Sequence, residues 1–241
     1  NLKRKITVLV ATSGDTGGAV ANGFLGVDGA DVVILYPKGR VSEIQELQLT
    51  TLGKNVSALE IDGYFDECQE MVKKSFLDSD LNKKLMLTSA NSINIARWIP
   101  QMLYYFIAYK NLNIENLKVV FSVPSGNFGN LCAGMLAKKM GLPINHFVAS
   151  TNKNDTVPNF MKTGEYKKQK TISTITNAMD VGDPSNFVRI LKLYNNDFQK
   201  LKKELTAYSF SDKETISGMK ELYFKSKYLL DPHGSTAYLG L

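Results

Sequence analysis

Short β-branched apolar runs alternate along this chain with stretches of helical periodicity. Residues 6–11, 31–35, 56–61, 85–87, 119–123 and 144–149 predict strands, being short, apolar and bounded by turn residues. Between them, residues 17–25, 42–52, 65–77, 93–110 and 130–140 predict helices, and Ser42 with Gln45 three positions on forms a capping box. Strand and helix in regular alternation build βαβ units. Because the strands are apolar on both faces, the class is α/β with a largely parallel, buried sheet.

After residue 149 the pattern changes to helices and irregular segments. The clearest helices are 186–194 and 212–228, the second opened by a Ser211/Glu214 capping box. The polar stretch Thr88-Ser89-Ala90-Asn91-Ser92 separates a smaller first block from a long amphipathic helix with an apolar stripe of Ile95, Trp98, Ile99, Met102 and Phe106. Two subdomains are therefore expected, 1–88 and 89–241.

Composition narrows the classes. An apolar fraction of 44% with 10% aromatics in 241 residues supports real cores. The balance of 29 basic and 23 acidic residues leaves +6, but the lysines are scattered on helical stretches, which argues against a nucleic-acid face. Cys68 and Cys132 stand far apart without CxxC spacing, and only His146 and His233 could join them, so neither a metal site nor a disulfide framework is expected. Free thiols fit a reducing, cytoplasmic setting, and no apolar run reaches the roughly 18 residues of a membrane span. The chain enters a strand almost at once and stops abruptly, so it reads as the central portion of a longer protein.

Candidate chemistry lies in three polar segments. Thr12-Ser13-Gly14-Asp15-Thr16-Gly17-Gly18 and Pro124-Ser125-Gly126-Asn127-Phe128-Gly129-Asn130 each join a strand to a helix start. A glycine turn there presents unpaired backbone N–H groups at the positive end of a helix, which suits a phosphate or carboxylate. Gly126 and Gly129 make only G-x-x-G, neither a dinucleotide fingerprint nor a P-loop. Ser13 or Asp15 would serve equally as a helix cap. In the third segment, Asn91, Ser92 and Arg97 offer amides, a hydroxyl and a guanidinium fork to an anion, or else an ordinary helix start with a surface arginine. No nucleophile elbow or catalytic triad is present. The residues alone point to an α/β protein that binds a small phosphorylated ligand.

Taken together, these segments resemble the threonine synthases of the longer bacterial and fungal form, fold type II enzymes related to the tryptophan synthase β chain. The likeness also runs through Val33-Ile34-Leu35-Tyr36-Pro37, Asn154-Asp155-Thr156-Val157-Pro158 and Asn177-Ala178-Met179-Asp180-Val181, and so covers the whole chain. The resemblance implies pyridoxal 5′-phosphate as cofactor and O-phosphohomoserine as substrate. It implies that Gly126, Asn127, Phe128, Gly129 and Asn130 hold the cofactor phosphate, that Ser13, Gly14 and Thr16 receive the amino-acid end of the substrate, and that Asn91, Ser92 and Arg97 hold its phosphate. Asp15 would lie near the cofactor's O3′, where the wider fold family has an asparagine; an ionised aspartate cannot donate the hydrogen bond that asparagine can. The Schiff-base lysine of the family lies in a Leu-Ala-Phe-Lys-Asp-like motif upstream of the first glycine loop. No such motif occurs here, and Lys3 and Lys5 lack its context, so the chain by itself is expected to be inactive. A dehydratase or cysteine synthase of the same fold, or a non-catalytic phosphate-binding module, would share the glycine loops. Oligomeric state is not legible.

Overall fold

The computed structural model describes residues 5–91, 94–112 and 117–241. The chain divides into two compact units, Asn1–Asn94 and Ile95–Leu241.

In the first unit, β1 (Ile6–Ala11), β2 (Ala30–Pro37), β3 (Val56–Ile61) and β4 (Met86–Ser89) form a four-stranded parallel sheet in the order β3-β2-β1-β4. Helices α1 (Asp15–Phe24), α2 (Glu43–Thr50), α3 (Phe65–Leu77) and α4 (Ser79–Lys84) connect the strands. Successive side chains of a strand point to opposite faces. Val8 and Val10 accordingly pack with Val20 and Ala21 of α1, Leu49 of α2, Val32 and Ile34. Leu9 and Ala11 pack on the other side with Leu35, Cys68 and Val72. Helices on both faces are the reason every residue of β1 after Ile6 is buried, Thr7 included.

The second unit carries the parallel sheet β5-β6-β7, from β5 (Val120–Pro124), β6 (His146–Thr151) and β7 (Leu205–Ser209). Its helices are α5 (Trp98–Asn111), α6 (Gly129–Lys139), α7 (Thr156–Thr163), α8 (Phe187–Leu193), α9 (Phe198–Glu204), α10 (Asp212–Ser226) and α11 (Pro232–Leu239). Its core gathers Trp98, Leu131, Met135, Phe147, Phe187, Ile190, Leu201 and Leu205, all buried.

Both expected capping boxes are present, Ser42 with Gln45 and Ser211 with Glu214. Three expectations shift. The expected subdomain boundary after Thr88 would fall inside β4, because pairing with β1 carries that strand on to Ser89, opposite Leu9; the units part after Asn94, whose side chain donates to the Ser89 carbonyl at 3.0 Å. The long helix expected from residue 93 begins only at Trp98, after a 3₁₀ turn over Ile95–Arg97. Pro100 explains this, since proline fits the first turn of an α-helix and breaks its interior. The buried face of α5 is Trp98, Met102 and Tyr105, whereas Ile95 and Ile99 are exposed. Finally, β7 replaces what reads as irregular chain: Leu205 and Ala207 are buried, but the charged run before them and the brevity of the strand hide the alternation.

Candidate functional site

In the first unit the chain steps from β1 through β2 to β3, then returns to place β4 on the other side of β1. Open parallel sheets bind ligands at such a reversal, outside the carboxyl ends of the strands. The segments that leave β1 and β4 there are the Thr12–Thr16 loop and the polar stretch containing Asn91, so the topology brings Ser13, Gly14, Asp15, Thr16 and Asn91 to one end of one sheet.

The first loop is built around a residue that the pattern did not single out. Thr12 is fully buried, and its Oγ1 accepts from the N–H groups of Gly14 at 2.9 Å and Gly17 at 2.8 Å while donating to the Gly14 carbonyl at 3.0 Å. Two glycine N–H groups that would otherwise face an anion are therefore taken. Neither Ser13 nor Asp15 caps α1, whose N-cap position is Gly14 without a side-chain cap bond. Gly14 has φ 141°, which is what requires glycine there; the Gln45 side-chain end that a Cβ would meet at 2.5 Å is flexible and can move aside. Asp15 Oδ1 accepts from Gln45 Nε2 at 2.7 Å, which ties the loop to the capping box of α2.

Thr12→Val should destabilise the first unit by about 2 kcal/mol, since it strands two buried donors, while Thr12→Ser should keep most of the stability. Urea unfolding of the three proteins measures this. Equal midpoints for Thr12→Val and wild type would remove the hydroxyl from its role.

Asn91 is also turned inward. Its Oδ1 accepts from the Ala11 N–H at 2.7 Å and its Nδ2 donates to the Ala11 carbonyl, so the amide extends β1 like a further piece of strand. Ser92 lies outside the described residues. Arg97 belongs to the second unit, at the N-cap position of α5, half-buried; burial lowers its guanidinium from its ordinary range. A guanidinium keeps its charge even so, and removal from water strengthens any anion contact it makes.

The second glycine segment follows β5. Ser125 extends the ladder through its N–H to the Ser150 carbonyl at 2.8 Å, and its hydroxyl turns back to the Val123 carbonyl at 2.9 Å. Gly126 passes so close to residues 178–179 that a Cβ would lie 2.7 Å from Met179 Cα and 2.9 Å from the Ala178 carbonyl oxygen. Asn127 Oδ1 accepts from Ser185 N–H at 2.7 Å and from Ser185 Oγ at 3.0 Å. Phe128 sits in the left-handed region at φ 63°, rare for a bulky residue. Its buried ring meets Phe187 edge-on at 5.6 Å. Tyr105 donates its hydroxyl to Asn130, and burial holds that phenol well above its ordinary pKa.

The N-cap residue of α6, Phe128, makes no side-chain cap bond, and the first turn of the helix holds no acid. The N–H groups of Gly129, Asn130 and Leu131 thus lie at the positive end of a helix with no acceptor inside it. A glycine turn pressed against the Ala178–Met179 backbone and leading into a helix start whose N-cap side chain makes no bond fits a phosphate group.

The thiols, the histidines and Lys5 sit in structural contacts. Cys68 and Cys132 are buried free thiols; burial pushes Cys68 up to about 11 and Cys132 higher still. His146 Nε2 lies 2.7 Å from Thr206 Oγ1, and His233 Nδ1 lies 2.8 Å from Asp231, the N-cap of α11. Lys5 pairs with Asp31 at 2.7 Å, beside the start of β1 and so at the opposite end of that strand from the glycine loop. Lys3 lies outside the described residues. Among the described residues, no helix is long and apolar enough to cross a membrane.

Residues 1–241 match the family model described as pyridoxal-phosphate dependent enzyme, and the chain belongs to that family. Its cofactor is pyridoxal 5′-phosphate. Among curated relatives, the chain is similar to threonine synthase from Buchnera aphidicola subsp. Acyrthosiphon pisum, 50% identical over 97% of this chain and 54% of that protein. It is also similar to threonine synthase from Escherichia coli, 47% identical over 99% and 55%. The solved Escherichia coli threonine synthase superposes with a TM-score of 0.94 at 46% identity, covering 99% of this chain and 55% of that one. The pyridoxal-phosphate-bound threonine synthase of Brucella melitensis superposes at 0.87 with 36% identity, over 98% and 56%. Maize serine racemase, 16% identical with a TM-score of 0.67, shows the shared fold alone. The chain spans about half the length of the curated relatives it matches.

Proposed function

We propose that this chain is the central part of a threonine synthase, the enzyme that converts O-phosphohomoserine and water to threonine and phosphate. What carries the reading is the collinear identity of 47–50% over nearly the whole chain to proteins of that name. The uncapped start of α6 supports the cofactor-phosphate role of Gly126, Asn127, Phe128, Gly129 and Asn130, which act mainly through backbone N–H groups. When bound, the cofactor ring supplies an electron sink for carbanions.

The chain's own residues bind and orient. Ser13, Gly14 and Thr16 receive the amino-acid end of the substrate, and Asp15, held by Gln45, would offer the cofactor a hydrogen-bond acceptor. Arg97 takes the substrate phosphate, where a desolvated guanidinium stabilises the group as it leaves. Asn91 contributes by fixing its segment to Ala11. The Schiff-base lysine lies outside these residues, a view supported by the engagement of Lys5 with Asp31. The two buried thiols accord with a cytoplasmic setting.

Titration of the chain with pyridoxal phosphate, ATP and NAD should show preference for pyridoxal phosphate, and borohydride treatment should leave no adduct at a single lysine. Nucleotide preference would favour a non-catalytic phosphate-binding module, and a stable adduct at one lysine of this chain would overturn the lysine assignment. In the complete protein, Arg97→Ala should lower kcat/KM for O-phosphohomoserine at least about tenfold, the worth of one charge-assisted bond. Unchanged turnover of that substrate would point instead to a dehydratase or cysteine synthase.

A further inference from the structure

The Asn177-Ala178-Met179-Asp180-Val181 segment has no role in the function so far described, yet it forms the floor under Gly126. The 3₁₀ turn Asn177–Met179 brings Met179 Cα and the Ala178 carbonyl against Gly126. Its position is held by buried polar groups. Asp180 Oδ1 accepts from Asn152 Nδ2 at 2.8 Å, from Thr174 Oγ1 at 2.8 Å and from Asn154 Nδ2 at 3.3 Å, and Oδ2 accepts from the Thr174 N–H at 3.0 Å. Asn152 also reaches Thr176 Oγ1 at 2.9 Å, and Thr176 accepts through its carbonyl from the Met179 N–H at 2.8 Å, closing the turn. Asn152, Asn154 and Thr176 are all buried.

The anchor of this cluster is the sheet itself. Asn152 directly follows β6, whose Ser150 pairs with Pro124 and accepts from Ser125. The glycine segment and the cluster that braces it therefore leave neighbouring strands at the same end. Further along, Ser185 holds Asn127, Phe187 packs on Phe128, and the Asn186 carbonyl accepts from Cys132 Sγ at 3.3 Å. Residues 178–179, 185 and 187 thus meet Gly126, Asn127 and Phe128 in turn.

We infer that Asp180 is a positioning residue for the cofactor phosphate: by holding the Asn177–Met179 turn against Gly126 it sets the direction of the N–H groups of residues 126–130. This rests on the assignment of those residues to the phosphate. Taking a carboxylate even partly out of water is costly unless it is hydrogen-bonded, and in half-buried Asp180 burial raises the pKa while the Thr174 and Asn152 bonds lower it. The four acceptor contacts return that cost only where the turn is in place. A half-ångström drift of the turn redirects donors whose bonds weaken steeply with angle.

The test compares the affinity of the chain for pyridoxal phosphate with that for pyridoxal, which lacks the phosphate, by absorbance or fluorescence titration alongside thermal unfolding. Asp180→Ala should reduce the preference for the phosphorylated form about tenfold, as loss of an outer-layer partner does at other built sites, with the affinity for pyridoxal unchanged. Asp180→Asn keeps the Oδ1 acceptor and should lose about threefold, the worth of one hydrogen bond. Thr174→Val, which removes a donor to Asp180 without touching the carboxylate, should fall in the same range and serves if Asp180→Ala does not fold. A general loss of stability would move both ligands together, and that result overturns the inference. Gly126→Ala separates the two claims. If it abolishes the preference while the Asp180 and Thr174 variants retain it, the positioning role alone fails; if it too leaves the preference intact, the phosphate assignment fails and the inference with it.

Discussion

Gly126→Ala is expected to cost about 100-fold in affinity for pyridoxal phosphate, with a smaller loss of stability, about 1–3 kcal/mol. The added methyl has no flexible side chain to displace. It would stand 2.7 Å from Met179 Cα and 2.9 Å from the Ala178 carbonyl, both backbone atoms of a turn tied down by Asp180 and Asn152. Relief requires the glycine segment to lift off the turn, which moves the N–H groups of residues 126–130 away from any phosphate they hold. The two readouts separate the causes: thermal unfolding follows the packing, and the ratio of pyridoxal phosphate to pyridoxal affinity follows the donors. A variant that melts lower but keeps the ratio would show that these N–H groups do not bind the phosphate.

Phe187→Ala should lower the stability of the second unit by about 3–5 kcal/mol, the usual range for truncating a buried aromatic. Phe187 is fully buried and central to a ring cluster, edge-on to Phe128 at 5.6 Å and Phe160 at 5.2 Å and stacked with Tyr166 at 5.9 Å. Edge and stacked contacts add to the area term, and the cavity left by the ring cannot close from three sides at once. A second effect follows through Phe128, whose φ of 63° persists only while packing over-determines it. Without Phe187 that residue should relax toward ordinary backbone angles, and the preference for pyridoxal phosphate should fall with it. Urea unfolding with the slope unchanged, followed by the same titration, measures both; a stability loss under 1 kcal/mol would mean that the ring is not the keystone of this cluster.

Much of the architecture is legible in the chain because one interaction, burial of apolar surface, writes the same period everywhere in it. β1 reads correctly to the residue, and both capping boxes are visible as Ser-x-x-Gln and Ser-x-x-Glu. Where a second interaction competes, the pattern fails. Pro100 delays α5, and of the apolar stripe anticipated from Ile95 only Trp98 and Met102 are buried, joined by Tyr105, whereas Ile95, Ile99 and Phe106 are exposed. Pairing with β1 pulls Ser89 out of the polar stretch and into β4. For β7, Leu205-Thr206-Ala207-Tyr208-Ser209 is too short and too mixed to stand out against the lysine-rich helix before it.

The candidate site divides in the same way. The glycine turns are local objects, and residue order is enough to place Gly126 and Gly129 at a helix start. Which N–H groups remain available is not local. Thr12 consumes two of them in the first loop, Asn91 spends its amide on a strand eighty residues earlier in the chain, and Asp15 finds a partner thirty residues away in Gln45.

By itself, then, the sequence determined the α/β class, the strand-turn-helix setting of both glycine segments and, through collinear motifs, the family, because these depend on side-chain period and on residues adjacent in the chain. Only the tertiary structure decided which donors stay open, that Met179 and Asp180 brace Gly126, and that Phe187 holds Phe128 in its strained conformation. Such contacts join residues tens of positions apart, and a pattern read along one dimension carries no record of which buried polar groups meet.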